Sequence, residues 1–224
     1  MASSTEENYL KALFLLADDK GEIAISDLSS LLQVSMPTAH SMVKNLNDQG
    51  LVNYEKYKPL SLTTKGKKEA ALVVRKHRLT EMYLVEKMGF GWEMVHEIAE
   101  QVEHIKSSIF FDRMDELMGH PMIDPHGSPI PDKNGKINSR AYQKLSGCKS
   151  GDVVKFSAIT HSSDDFLRYL NSKDLSLGLT LTILSVEPFD GNMAVSYSPD
   201  HQEILSSIVC EKMLVEKVLA GKDR

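Results

Sequence analysis

The stretch SMPTAHSMVKNLNDQGLV, residues 35–52, reads as the end of a turn, a helix from about Pro37 to Gly50, and the entry to a strand. Proline suits a first helical turn, where its missing N–H would be unpaired anyway, and glycine just past the last turn accepts left-handed backbone. Leu51-Val52-Asn53-Tyr54 and Leu60-Ser61-Leu62-Thr63 then read as two short strands joined by Glu55-Lys56-Tyr57-Lys58-Pro59, a wing. On the N-terminal side, TEENYLKALFLLA (5–17) is a helix with apolar Tyr9, Leu10, Leu13, Phe14 and Leu16, opened by Thr5 as N-cap and ended by Asp18-Asp19-Lys20-Gly21. Ser26 caps a second short helix, Asp27 to Leu32. Helix, helix, turn, helix, wing is a winged helix-turn-helix, a module that reads DNA.

Beyond the wing a helical pattern runs from Thr64 to Met88, Gly89-Phe90-Gly91 interrupts it, and a further helix of about residues 92–118 follows. The Pro- and Gly-rich GHPMIDPHGSPIPDKNGKI (119–137) is an irregular connection. From Gly147 the period becomes strand-like in GDVVKFSAI (151–159), LTLTILSVEP (179–188) and NMAVSYS (192–198), with a short helix from Ser163 to Leu170. That describes a small SH3-like barrel. The fold class is mainly α with small β parts, in three domains: a winged helix-turn-helix (1–74), a helical domain (75–140), and an SH3-like domain (147–224).

The chemistry concentrates in VHEIAEQVEHI (95–105). At about 100° per residue, His96, Glu100, Glu103 and His104 fall within one arc of a continuous helix, so imidazoles and carboxylates converge. Val95, Ile98, Val102, Ile105 and Ile109 form the opposite, apolar face, expected to be core. His77 and Glu81 are a second i, i+4 pair able to meet at one point, and Asp124 and His126 in the irregular connection are placed where a metal could use them. Drawing Glu100 and Glu103 together creates like-charge repulsion, so without an ion this site is expected to be splayed.

With 42% hydrophobic and 25% charged residues over 224 positions, the composition is that of an ordinary globular protein. No apolar run is long enough to span a bilayer, and MASSTEENYLKALFLL lacks a leader pattern, so a cytoplasmic protein with no membrane partner is expected. Cys148 and Cys210 are far apart and read as core. The net charge is −5, yet residues 33–68 carry six lysines against Asp48 and Glu55, the scale of a DNA footprint. Ser35, Pro37, Thr38 and Ser41, with His40 beside them, lead the recognition helix toward base edges, while Lys44, Lys56, Lys58, Lys65 and Lys67 neutralise phosphates. Tyr54 and Tyr57 read as half-buried packing, Trp92 as a helix-start anchor in the core, and Met82, Met88, Met94 and Met114 as core. A metallohydrolase is disfavoured, since there is no HExxH and no Gly-rich phosphate loop; the chain reads as no enzyme.

TEENYL (5–10), SMPTAHSMVKNLNDQGLV (35–52), LTTKGKKEA (62–70), RKHRLTEMYL (75–84) and VHEIAEQVEHI (95–105) together resemble the diphtheria toxin repressor family, and its manganese transport regulator branch more than its iron branch. The resemblance covers essentially the whole chain, the C-terminal part being similar to the family's SH3-like, FeoA-like domain. It implies that the helical domain (75–140) serves metal binding and dimerisation, in a homodimer that binds palindromic double-stranded operator DNA ahead of metal-uptake genes when loaded with Mn²⁺, or with Fe²⁺ as the alternative. It also implies a primary ligand set of Asn8, Glu100, Glu103 and His104, and an ancillary set of His77, Glu81 and His96. Asp165 is a possible added ligand, and Asp124 and His126 are further candidates. Three departures from the family pattern matter. Asn8 stands where Asp or Met is usual. Lys11 stands where bacillus-type manganese regulators carry Glu, which puts their closely spaced pair of ions in doubt. Glu100 replaces the Cys of iron-type members, a harder ligand suited to Mn²⁺. The rival of a different class is a winged-helix regulator that ignores metal.

Overall fold

The computed structural model describes residues 3–138, 141–160, 163–198 and 201–218, which form two compact units. The first takes in the described residues 3–88, 96–122 and 130–138. Its helix α1 (Ser4–Leu16) opens with a capping box, Ser3 Oγ accepting from Glu6 N and Glu6 Oε2 accepting from Ser3 N, so the cap is Ser3 rather than Thr5. Helix α2 (Ile25–Leu31) begins two residues earlier than expected and has no side-chain cap; its first residue is apolar because Ile25 packs on the core. Helix α3 (Met36–Asp48) starts on Ser35, whose Oγ accepts from Thr38 N, and β1 (Val52–Asn53) pairs antiparallel with β2 (Ser61–Leu62). Leu10, Leu13, Leu28, Val43, Leu46 and Leu60, all fully buried, bring α1, α2, α3 and the hairpin around one core.

Helix α4 (Thr64–Met88) spans 25 residues as the periodicity indicates. Gly66 lets it start against the wing: a Cβ there would lie 1.9 Å from the carbonyl oxygen of Leu51. The expected helix of residues 92–118 is instead two, α5 (His96–Val102) and α6 (Ser108–Leu117). The chain leaves the helix at Glu103 because that side chain and those of His104 and Lys106 are drawn to α1, and Ser107 re-nucleates α6 by accepting from Phe110 N. The apolar face is broken with it. Val95 is buried, but Ile105 and Ile109 are exposed, Ile109 to 80%.

At the wing tip Tyr57 is 91% exposed, not packed, and sits at φ +67° with the Lys56 ammonium 4.8 Å from its ring centre. A bulky residue in left-handed backbone loses about 1 kcal/mol relative to glycine. Tyr57→Gly is therefore expected to raise the Tm by a few degrees in a calorimetric scan, whereas a lowered Tm would mean the ring contributes more than its backbone costs.

The second unit takes in residues 89–95 and 123–129 and the described residues after 140. Its antiparallel sheet runs in the order β3 (Gln143–Lys144), β8 (Met213–Lys217), β4 (Val153–Ile159), β5 (Thr180–Val186), β6 (Met193–Ser198), β7 (His201–Leu205). Helices α7 (Asp164–Ser172) and α8 (Ser207–Lys212) complete it. Phe156, Leu170, Leu181, Ile183, Val195 and Met213 fill its core with both cysteines, as expected of the latter. Trp92 packs on this core, as expected, but it lies ahead of the helix that begins at His96, and its indole N–H donates to Asn171. Met114 is buried, while Met88 and Met94 are exposed near the glycine-rich break and do not serve as core. Among the described residues no helix is long and apolar enough to cross a membrane.

Candidate metal centre and nucleic-acid interface

Within the first unit, α1, α4 and the α5 segment bring four carboxylates and three imidazoles together. From α4, His77 reaches two ways, Nδ1 lying 2.6 Å from Glu103 Oε2 and Nε2 lying 3.0 Å from Glu81 Oε1. His96 adds its Nδ1 3.2 Å from His77 Nε2 and 3.3 Å from Glu81, and its Nε2 3.4 Å from Glu100. Ligand atoms of His77, His96 and Glu100 all lie within 4.8 Å of one another. Burial pushes the His77 pKa down, but the hydrogen bonds that its ring donates to Glu103 and Glu81 outweigh it and raise it from 6.5 to about 9.

The other half of the cluster is built from α1. His104 Nδ1 lies 2.7 Å from Glu7 Oε2, which leaves its Nε2 turned toward Glu103 Oε1 at 3.8 Å. Glu7 also accepts from Lys106 at 2.7 Å and lies 3.6 Å from Lys76. Burial alone would raise the Glu7 carboxyl, yet the Lys106 and His104 hydrogen bonds and the Lys76 charge hold it below the usual range. Glu7 orients a histidine by the nitrogen opposite the cluster, the arrangement that fixes imidazoles in metal sites. Sequence reasoning passed over Glu7 because an acidic residue in a first helical turn has an ordinary reading as a dipole partner.

Lys11, one turn further along α1, was expected only to put a closely spaced pair of ions in doubt, yet its ammonium stands inside the site, 2.6 Å from Glu100 Oε1 and 2.8 and 2.9 Å from the two oxygens of Glu103. Glu103 is wholly buried. The cluster is therefore not splayed: Lys11 and His77 offset the carboxylate repulsion. Burial pushes the Glu100 carboxyl up, but Lys11, with the His77 and His96 charges, carries it below its ordinary value.

Two acceptors in this region lack a hydrogen-bond donor among the described residues, Asn8 Oδ1 and Glu103 Oε1, the Lys11 contact to the latter being short but poorly aligned. Asn8 lies three residues before Lys11 on α1, the spacing of one helix face. Buried oxygens without donors, beside carboxylates and imidazoles, are the donor set of a hard divalent cation, so these residues fit one. In the second unit, Asp124 is buried and accepts from the backbone N–H groups of His126 and Ser128. His126 Nε2 meets the Trp92 carbonyl oxygen at 2.9 Å, and its ring stacks on Trp92. Asp165 is almost fully exposed and lies 3.7 Å from Arg168.

On the candidate DNA face, Ser35, Pro37, Thr38, Ser41 and Lys44 of the α3 region are exposed, with His40 half-buried. Tyr54 fixes the wing against α3: its hydroxyl is 3.3 Å from His40 Nδ1, and its N–H donates to Asn47. Lys56, Lys58, Lys65 and Lys67 are exposed, Lys58 paired with Glu55 at 2.5 Å and Lys65 donating to the Gln49 carbonyl.

Three family models cover the chain in sequence order. They are described as the iron dependent repressor N-terminal DNA binding domain (1–60), the iron dependent repressor metal binding and dimerisation domain (63–132), and the FeoA domain (143–217). The iron-dependent repressor IdeR of Mycobacterium leprae is 35% identical, over 96% of this chain and 97% of that protein. The chain belongs to the diphtheria toxin repressor family. Its members are metal-dependent, DNA-binding transcriptional repressors, and both manganese and iron branches are related to this chain. The regulator MntR of Bacillus subtilis strain 168 is 32% identical over 53% of this chain and 82% of its own length. A solved manganese-dependent transcriptional repressor in complex with manganese superposes with a TM-score of 0.87 at 31% identity, over 95% of this chain and 99% of that one.

Proposed function

We infer that this chain is a homodimeric repressor of metal-uptake genes with Mn²⁺ as co-repressor. The primary ligands are Asn8, Glu100, Glu103 and His104, and the ancillary ones His77, Glu81 and His96; Asp124, His126 and Asp165 are reserve candidates. The observation that carries this reading is that α1, part of the DNA-binding core, supplies Glu7 and Lys11 to a cluster whose other members stand on α4 and the α5 segment. Charge at the cluster is thereby coupled to the placement of the recognition helix. A bound divalent cation supplies two positive charges and a demand for oxygen and nitrogen ligands. The protein's part is to present them: Glu7 holds His104 in one ring orientation, Asn8 offers an amide oxygen from α1, and Glu103 offers a carboxylate shielded from water.

Dimerisation is supported by α6, which leaves Ile109, Phe110 and Leu117 exposed in the segment matched as a dimerisation domain. Two recognition helices related by a two-fold axis reach major grooves about 34–36 Å apart on B-DNA. Manganese is favoured because Glu100, a hard carboxylate, stands where iron-type members carry Cys. Iron(II) is the second reading, favoured by the 35% identity to an iron-dependent repressor along nearly the whole chain.

The test is DNA binding by chelator-treated protein, using a duplex selected from a random pool by the metal-loaded chain, titrated with Mn²⁺ and, anaerobically, with Fe²⁺. Binding is expected only with metal, and the ion active at the lower concentration is the co-repressor. Equal binding with and without metal sinks the switch.

A further inference from the structure

Lysine is a strongly hydrated point charge, rarely buried without a compensating partner. Lys11 is 11% exposed, and its ammonium is surrounded by three carboxylate oxygens from two residues, all within 2.9 Å. Those oxygens belong to Glu100 and Glu103, which the proposed function assigns as metal ligands. A divalent ion takes carboxylate oxygens at about 2.0–2.2 Å. An ammonium left on the same three oxygens would lie within a few ångströms of it, and like charges repel strongly that close in a site shielded from water.

Resting on the metal-sensor reading, we propose that Lys11 is the site's own cation: its ammonium holds Glu100 and Glu103 together in the ion-free protein and is expelled when a divalent cation binds, so residue 11 sets the metal threshold. The tethered ammonium competes at an effective concentration fixed by its stem, and any ion must outbid it for the same oxygens. It also gives the switch two defined states. Without an ion, α1 is tied to the α5 segment through Lys11; with one, through Asn8, about 4.5 Å away along the helix axis. The orphaned Asn8 oxygen is the group left idle while Lys11 is engaged.

The experiment follows the intact chain as Zn²⁺, a diamagnetic probe, is added, observing side-chain ammonium groups by ¹H–¹⁵N correlation. Ammonium groups held in buried ion pairs exchange slowly enough to be seen, and the Lys11 signal is identified by its absence from Lys11→Arg. It is expected to vanish or move as the first equivalent of Zn²⁺ binds. In parallel, Mn²⁺ binding is read from the paramagnetic resonance of free Mn²⁺. Lys11→Gln is expected to bind Mn²⁺ at least about tenfold more tightly than the wild type, because the charge competing for the carboxylates is gone. Lys11→Arg, whose planar fork grips carboxylates in two places, is expected to bind no more tightly than the wild type. Should Lys11→Gln fail to fold without metal, the ammonium signal and Lys11→Arg decide the matter. A Lys11 signal unchanged at saturating Zn²⁺, a folded Lys11→Gln with equal or weaker Mn²⁺ affinity, or a tighter-binding Lys11→Arg overturns the proposal. Failure of the wild type to bind any divalent ion overturns the metal-sensor reading itself; ion binding that leaves Lys11 in place overturns this inference alone.

Discussion

Glu103→Ala is expected to abolish the metal response of DNA binding and to destabilise the metal-free chain. Glu103 is wholly buried, with His77 at 2.6 Å on one oxygen and Lys11 within 2.9 Å of both. Truncating one side of a buried ion pair leaves the other charge uncompensated, at a cost of about 3–5 kcal/mol. Lys11 keeps Glu100 and His77 keeps Glu81, so the lower end of that range is expected in urea unfolding. The functional loss has a separate origin. Coupling between two ligands is typically 5- to 150-fold in affinity, and here it runs through the carboxylate that ties α5 to α1. With Glu103 gone, Mn²⁺ should leave DNA affinity at its metal-free level in a fluorescence anisotropy titration. Glu103→Gln separates the two effects, keeping the side-chain volume and one oxygen while losing the charge. Its stability should fall less than that of the alanine variant, yet its metal response should be equally absent. An alanine variant that is still activated by metal as the wild type is would remove Glu103 from the switch.

How far this was legible in the sequence depended on whether local pattern or distant contact set the outcome. Helix α4 could be read end to end, because Thr64–Met88 carries its own periodicity and stops at a glycine with φ +72°. The recognition helix was equally open, marked by Ser35, Pro37 and Gly50. The break between α5 and α6 was not, since no glycine or proline falls between Glu103 and Ser107 and the apolar period continues to Ile109. What ends α5 is the pull of Lys11, His77 and Glu7 on Glu103, His104 and Lys106, partners 26 to 99 residues away in the chain. In the second unit the three longest strands declared themselves, while β3 (QK), β7 (HQEIL) and β8 (MLVEK) are short and show no alternation of polar and apolar residues, and their existence follows from pairing. The cluster's composition was visible as a list of His and Glu, but its charge balance was not. Lys11 reads from sequence as a lost ligand, and only the packing of α1 on α4, which carries it to Glu100 and Glu103, makes it a cation in the site.

The metal-free protein should lose stability, and gain metal affinity, as the pH rises from 6 to 9.5. His77 titrates at about 9 when folded and near 6.5 when unfolded, so the folded state holds a proton that the unfolded state releases across that interval. A raised histidine pKa stabilises the fold fully below the unfolded value, and the contribution disappears as the pH passes the folded one. Two and a half units correspond to roughly 3 kcal/mol, and the group is buried, so solvent screening removes little of it. Urea unfolding at pH 6 and 9.5 should therefore differ by about that amount, and His77→Gln should flatten the profile; a wild-type profile already flat would mean His77 is neutral in the folded protein. An imidazole must shed its proton to serve as a metal ligand. If His77 is one, then between about pH 6.5 and 9 apparent Mn²⁺ affinity should climb by up to about tenfold per unit, with one proton released per ion in calorimetry run in buffers of different ionisation heat. The proton that steadies the resting fold is the same one that opposes the ion, so the two pH slopes must have opposite signs and both must become shallower in His77→Gln.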